Sequence, residues 1–281
     1  GKGASTDLVP TLNAASIPTS INSVISQQNM LGYFARINYD YKNKYLLSIT
    51  ARYDGASNLG DNNKWGFFPG VSLGWHVDKE KFWSFMPENL MTLKLRTSYG
   101  VNGNISGLGD FTAQGNYSVG SKYLGKSAII LNALMNQDLS WEESKTFDIG
   151  ADVTLFNNRL SIIFDYFKRK TDNLLTERYL PHSTGFESVK TNLGKLQNTG
   201  IELEVSSHIL SPSCPVQWDL GFNISRVKNK ILELPDNGID RNRIGGEYIW
   251  NEKLHDYVWA GGLQEGGRMG DLFAYKMVGI Y

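Results

Sequence analysis

Stretches of strand length in which apolar and polar residues alternate recur along this chain, separated by connectors that are by turns short and long. From Tyr45 to Asp54, Leu47, Ile49, Ala51 and Tyr53 fall on one side, and Ser48, Thr50, Arg52 and Asp54 on the other. A period of two is what a β-strand needs when its two faces meet different surroundings. The pattern recurs about eight times, which predicts an all-β, antiparallel architecture.

The strands are expected at Leu31 to Tyr41, Tyr45 to Asp54, about Phe67 to Val77, and Met91 to Val101. Further strands follow at about Trp141 to Leu155, Arg159 to about Leu174, around Ile201 to His208, and Gln217 to Val227. In the sixth, Ile163 and Phe167 interrupt the polar side, which otherwise carries Ser161, Asp165 and Arg169. The rest reads as connectors: residues 1–29, a Gly/Asn/Asp-rich stretch from Gly55 to Lys64, Asp78 to Leu90 with room for a helical turn, and roughly Asn102 to Ser140. The remainder to Tyr281 reads as loop, with a short extended piece at Leu272 to Ile280.

The connectors sort into two classes. After odd-numbered strands come short turns such as Lys42 to Lys44 and Asn157-Asn158, and after even-numbered strands come long loops. Only Asp78 to Leu90 breaks the sorting. Tyr39, Tyr41, Tyr45, Trp75 and Trp218 gather at the short-turn end, and Tyr53 and Tyr99 at the other. Strands of about 10 residues, aromatic ends and sorted connectors are the marks of a transmembrane β-barrel with short periplasmic turns and long outer loops. A soluble sandwich also alternates, with its apolar faces turned inward, and stands as the competing reading. A small, self-contained eight-stranded barrel is a third. Glycines on the polar faces (Gly74, Gly100, Gly150, Gly221) suit a wide lumen better.

Composition removes other classes. Positive and negative side chains balance at 28 each, so nothing favours nucleic acid. The mean hydropathy of -0.31 does not exclude a barrel, which turns only alternate residues to lipid. No run of about 18 apolar residues exists, so no spanning helix is expected. The single cysteine, Cys214, cannot build a disulfide framework. The polar opening, Gly1 to Asp7, has no leader-like apolar core, so the chain reads as a piece of a longer exported protein.

Catalytic motifs are missing: no P-loop, GxGxxG, HExxH or GxSxG occurs. Glu142 and Glu143 are strand neighbours and point opposite ways. His76, His182, His208 and His255 lack ligand spacing. Asp54, Asn58, Asp61 and Asn62 could gather oxygens around calcium, but they lack EF-hand spacing, and turn chemistry accounts for them equally. No enzyme, cofactor or metal is therefore expected. Binding remains: Tyr-, Trp-, Asn- and Gly-rich loops above a charged lumen suit polar polymers. Arg52, Asp54, Glu142 and Arg169, near the outer strand ends, are the candidate chamber-facing residues.

Several segments, in order, resemble the SusC/RagA family of TonB-dependent outer-membrane transporters. RYDGASN at Arg52 to Asn58 and KWGFFPGVSLGW at Lys64 to Trp75 match its R-x-D-G-S-S strand end and G-x-F-P-x-x-S-x-G-W strand. Leu93 to Asn104, Leu139 to Leu160, Asp165 to Leu175, Asn198 to Leu203 and Gly270 to Tyr281 continue the likeness, with Ala56 and Cys214 as small departures. The resemblance implies a barrel of about 22 strands with a plug. It also implies a SusD-like lipoprotein lid, a link to the TonB–ExbB–ExbD complex through the plug-bearing part, and import of oligosaccharides or peptides. On that reading, residues 1–29 are an outer loop, 30–227 barrel strands and loops set among outer-membrane lipids, and 228–281 an outer loop leading to further strands.

Overall fold

The structure is a computed structural model that describes residues 2–4, 15–17, 27–87, 89–124, 126–210 and 215–271. The extended piece expected at Leu272 to Ile280, and Cys214, lie outside them. Fourteen strands are described in chain order. Two are a short antiparallel pair, β1 (Lys2–Ala4) with β2 (Ala15–Ile17), inside the stretch read as loop.

Eight strands form one antiparallel sheet: β3 (Met30–Tyr41), β4 (Tyr45–Ala56), β5 (Trp65–His76), β6 (Met91–Asn104), β9 (Glu142–Leu155), β10 (Leu160–Tyr179), β11 (Ser188–His208) and β12 (Asp219–Glu233). They lie in sequence order, and β3 and β12 form the two edges. A closed eight-stranded barrel would pair those edges, so the small-barrel reading fails. The sandwich reading fails too. Tyr33, Ile37, Leu73 and Phe222, all on the apolar face, are each more than half exposed, with no second sheet over them among the described residues. An apolar face of this extent is tolerable only against lipid or a partner.

Two hairpins were not legible as strands. β7 (Asn116–Tyr123) pairs with β8 (Lys126–Ala133) inside the connector before β9, and β13 (Glu247–Asn251) with β14 (Asp256–Ala260) after β12. β10 and β11 also run well beyond their expected ends, so the connector between them shrinks to residues 180–187. A bulge between Thr171 and Leu174, with Asn173 at a φ of 56°, resets the faces there. Where both faces are polar there is no alternation to read.

The turns explain the register. In the β3–β4 turn, Lys42 and Asn43 take positive φ, and the Asp40 carboxylate accepts the Asn43 N–H at 2.7 Å. Asn157 and Asn158 do the equivalent work between β9 and β10. The long connector after β5 is compacted by two 3-10 turns, Val77–Lys79 and Lys81–Trp83. Between them Glu80 accepts hydrogen bonds from Tyr45 Oη (2.6 Å), Lys44 Nζ (3.1 Å) and Trp75 Nε1 (3.3 Å). This connector is long in sequence but lies folded against the strand ends.

The apolar band crosses the sheet obliquely. It reaches out to Leu31 on β3 and Trp65 on β5, but ends at Phe147 on β9, Tyr166 on β10, Ile201 on β11 and Ile224 on β12. Strands of a barrel tilt by about 35–45°, so a level membrane slab cuts their hydrogen-bonded rows at an angle. The drift of the band is the footprint of that tilt.

Candidate functional site: the polar face and its loops

The centre of the polar face is built around Arg96. In register, Gly74 of β5, Arg96 of β6, Gly150 of β9 and Asp165 of β10 form one row. Arg96 lies across Gly150 to reach Asp165 at 2.8 Å, and its Nε donates to Asp152 at 2.8 Å, with Asp148 at 3.9 Å. A Cβ on Gly150 would stand 2.3 Å from the Asp165 carboxylate and 2.9 Å from Arg96 Cζ, so only glycine leaves room for the bridge. One guanidinium thus serves three carboxylates, and the buried Asp165 Oδ1 has no hydrogen-bond partner among the described residues. Glu202 and Glu204 of β11 share this face, level with Asp165 and Ile163. Its middle is therefore rich in negative charge.

At the long-loop end the same face is capped by the buried core. Phe68 of β5 meets the Trp141 ring edge-on at 5.2 Å, with Ala56 and Leu59 beside them. Trp141 Nε1 donates to the Lys64 carbonyl at 3.2 Å, and Gly60 N–H to the Leu139 carbonyl at 2.9 Å. The 57–64 loop is thereby fastened to the segment before β9. Asn192 of β11 is the clamp on the other side. Its side chain accepts the Ser140 N–H at 2.8 Å and donates to the Ser140 and Asn173 carbonyls at 2.9 Å. Between the base of the β7–β8 hairpin and the projecting ends of β10 and β11 lies a cleft of about 500 Å³, lined by Phe111, Asn132, Glu177, Phe186 and Lys190 among others.

All four candidate residues project from the polar face, but they are not one site. Arg52 and Asp54 pair on β4 at 3.1 Å, with Arg52 exposed and Asp54 buried. Glu142 is structural: it accepts the Leu175 N–H at 2.8 Å and the Asn104 side-chain amide at 2.6 Å. Arg169 is exposed, with one contact to Thr146 Oγ1 at 3.3 Å. Each residue of the calcium candidate is otherwise placed. Asp54 holds Arg52, Asp61 pairs with Lys64 at 2.7 Å, Asn62 donates to Asp138 at 2.8 Å, and Asn58 is buried in the loop core. The histidines stand apart: His76 lies 3.6 Å from Asp78, His208 pairs with Asp219, and His182 and His255 sit in separate turns.

The alternation along β6, β9 and β10 by itself puts Arg96, Asp148, Asp152 and Asp165 on polar sides. It misses their convergence, because that depends on register. Asn192 and Trp141 carried no signal beyond residue type.

A single antiparallel sheet with an unburied apolar face, aromatic rims at both ends and a charged opposite face is a wall of a transmembrane β-barrel. Residues 3–257 match the family described as TonB dependent receptor-like, beta-barrel, and the chain belongs to that family. It is 33% identical to the TonB-dependent receptor P3 of Formosa agariphila over 274 residues, 96% of this chain and 26% of that receptor. It is 32% identical to the TonB-dependent receptor SusC of Bacteroides thetaiotaomicron over 216 residues, 74% of this chain and 21% of SusC. A solved structure of the RagAB peptide transporter superposes with a TM-score of 0.72 at 26% identity, covering 82% of this chain and 25% of that one. The chain is therefore a SusC/RagA-like barrel segment of the Gram-negative outer membrane, and it spans about a quarter of the length of these relatives. The family is one of receptors and transporters, not of enzymes.

Proposed function

We propose that this chain forms part of the barrel wall and substrate chamber of a TonB-dependent importer of oligosaccharides or peptides. Its short turns face the periplasm and its long loops the cell exterior. A SusD-like surface lipoprotein docks over the loops, and the TonB–ExbB–ExbD complex acts through the plug-bearing remainder. The observation that carries the reading is the division of one sheet into an apolar outer face and a charged inner face, on a SusC/RagA-like segment. Similarity to the RagAB peptide transporter supports a polymer cargo. The exposed guanidiniums of Arg52 and Arg169 keep donors free for hydroxyls or carbonyls, and the loop cleft offers a polar wall. Asp54 orients Arg52, and Glu142 holds the β6–β9–β10 strand ends from which the chamber is built.

The test is cysteine accessibility in the whole transporter. With cysteines at positions 52, 54, 142 and 169, one at a time, a charged maleimide should react at 52 and 169 from the water phase. Reaction at 54 and 142 should be slower, because their neighbours cover them. Reaction at 52 and 169 only with a lipid-soluble reagent would overturn the assignment of faces.

A further inference from the structure

We propose that the outward face of β9 to β12 carries a binding site for phosphorylated lipid headgroups, immediately beyond the edge of its apolar band. The inference rests on the orientation proposed above.

The register assembles the site. On β9, Phe147 is followed on the same face by Lys145; on β10, Tyr166 by Lys168 and Lys170; on β12, Ile224 by Arg226, Lys228 and Lys230. Lys145, Lys170, Gln197 and Lys230 share one row, and Phe147, Lys168, Thr199 and Lys228 the next. Neighbouring strands lie about 4.8 Å apart, so six cations crowd a patch only four strands wide. Two carboxylates of that face are already engaged. Lys145 lies 3.3 Å from Glu143 and 3.0 Å from Asp172, and Lys170 lies 2.9 Å from Asp172. Lys168, Arg226, Lys228 and Lys230 are exposed and form no ion pair among the described residues.

The arrangement is local. Where the apolar band ends on β3 to β5, the rim is Tyr33, Tyr53, Trp65 and Phe67, with Tyr53 and Trp65 stacked at 4.9 Å and no cation among them. Like charges on adjacent strands repel, and a set left unpaired calls for an anion from outside the chain. The position selects the anion. The patch starts one side chain beyond lipid-facing aromatics and points away from the lumen, at the depth where membrane phosphates lie. There a lysine or arginine costs a barrel little, because its stem can lie along the apolar surface while its head reaches the interface. An acidic protein would need a patch clear of the bilayer, and this one begins at its edge.

The test uses the full-length transporter in non-ionic detergent, titrated with lipid A, a phosphorylated and acylated disaccharide, and followed by native mass spectrometry. The triple variant Lys168→Gln, Arg226→Gln, Lys228→Gln should bind lipid A about tenfold more weakly or worse. The variant Lys168→Arg, Lys228→Arg should bind as the unaltered protein does. Dephosphorylated lipid A should bind all three equally weakly. An unchanged heat-shifted band on an unboiled gel shows that the variants are folded. Equal binding of lipid A by the triple variant overturns the site. Displacement of lipid A by inorganic phosphate, or selective capture of a soluble acidic protein in its place, overturns the lipid assignment. Asn43→Cys in the β3–β4 turn separates the two readings. If a membrane-impermeant maleimide labels it on intact cells, the orientation itself is wrong; if it stays unlabelled while lipid binding is equal, only the lipid site falls.

Discussion

At the scale of single residues, two arrangements make predictions of opposite kinds. Arg96 is the only cation bonded to Asp152 and Asp165 among the described residues, and its side chain is 31% exposed. Arg96→Ala leaves those carboxylates facing one another, and a loss of about 1–3 kcal/mol is expected after allowing for partial solvation. Arg96→Lys cannot fork to both partners and should fall between. Gly150→Ala should mimic the loss without touching a charge, because its Cβ occupies the path of the bridge. The temperature at which the whole barrel unfolds on a gel reads all three, and a midpoint unmoved in Arg96→Ala would show that the cluster stabilises nothing. Glu80 behaves differently. The Tyr45 hydroxyl first, then Lys44 and Trp75, hold its carboxyl below the usual glutamate value. A carboxylate lowered in the fold stabilises it above the unfolded pKa, and that contribution is lost as pH falls through the folded pKa. The short-turn cap should hold at neutral pH and loosen once the pH falls below the ordinary glutamate range. Indole fluorescence should show this acid step, and Glu80→Gln should lack it. Face assignment of such residues was legible from the period of two. Partner choice was not, because Arg96 and Asp165 meet only through the register of three strands.

Among the elements, legibility follows the surroundings. All eight sheet strands were readable because lipid on one side and charge on the other impose alternation. The β7–β8 and β13–β14 hairpins and the far ends of β10 and β11 have no such contrast, so their sequences read as loop. What holds the 57–64 loop and the segment before β9 is the buried core around Trp141, which predicts a separation of local from global stability. Trp141→Ala removes a buried ring and its hydrogen bond to Lys64, at a cost of about 3–5 kcal/mol in that region. Asn192→Ala strips the Ser140 N–H and two carbonyls of their partner, for about 1–3 kcal/mol. Both losses should appear as faster proteolysis within residues 105–141, while the heat-shift midpoint of the barrel stays in place. A midpoint that fell with the proteolysis would mean the loop core and the wall unfold together.

For the molecule as a whole, the governing fact is that β3 and β12 do not meet. Each is an edge of 12 or 15 residues whose outer side pairs with no further strand among the described residues, Ile231 alone bonding the backbone of Gly266 and Gly267. In a bilayer every such group left unpaired costs several kcal/mol, which is why spanning sheets close. An open eight-stranded wall therefore cannot persist in lipid without other strands against both edges. The segment expressed alone, at 31.5 kDa, should aggregate or stay unfolded, with no band that shifts on boiling. The same segment within its full transporter should appear, to an antibody raised against it, in a band far larger than 31.5 kDa that shifts on boiling. A discrete, heat-shifting monomer from the segment alone would mean that β3 and β12 can close on each other, and that the open arc is not the state the sequence requires. Its oblique apolar band argues against that outcome. The outer limit at Leu31 on β3 and that at Ile224 on β12 lie in different hydrogen-bonded rows, so direct row-by-row pairing of these edges would not match the two limits. Closure needs intervening strands to complete the slope.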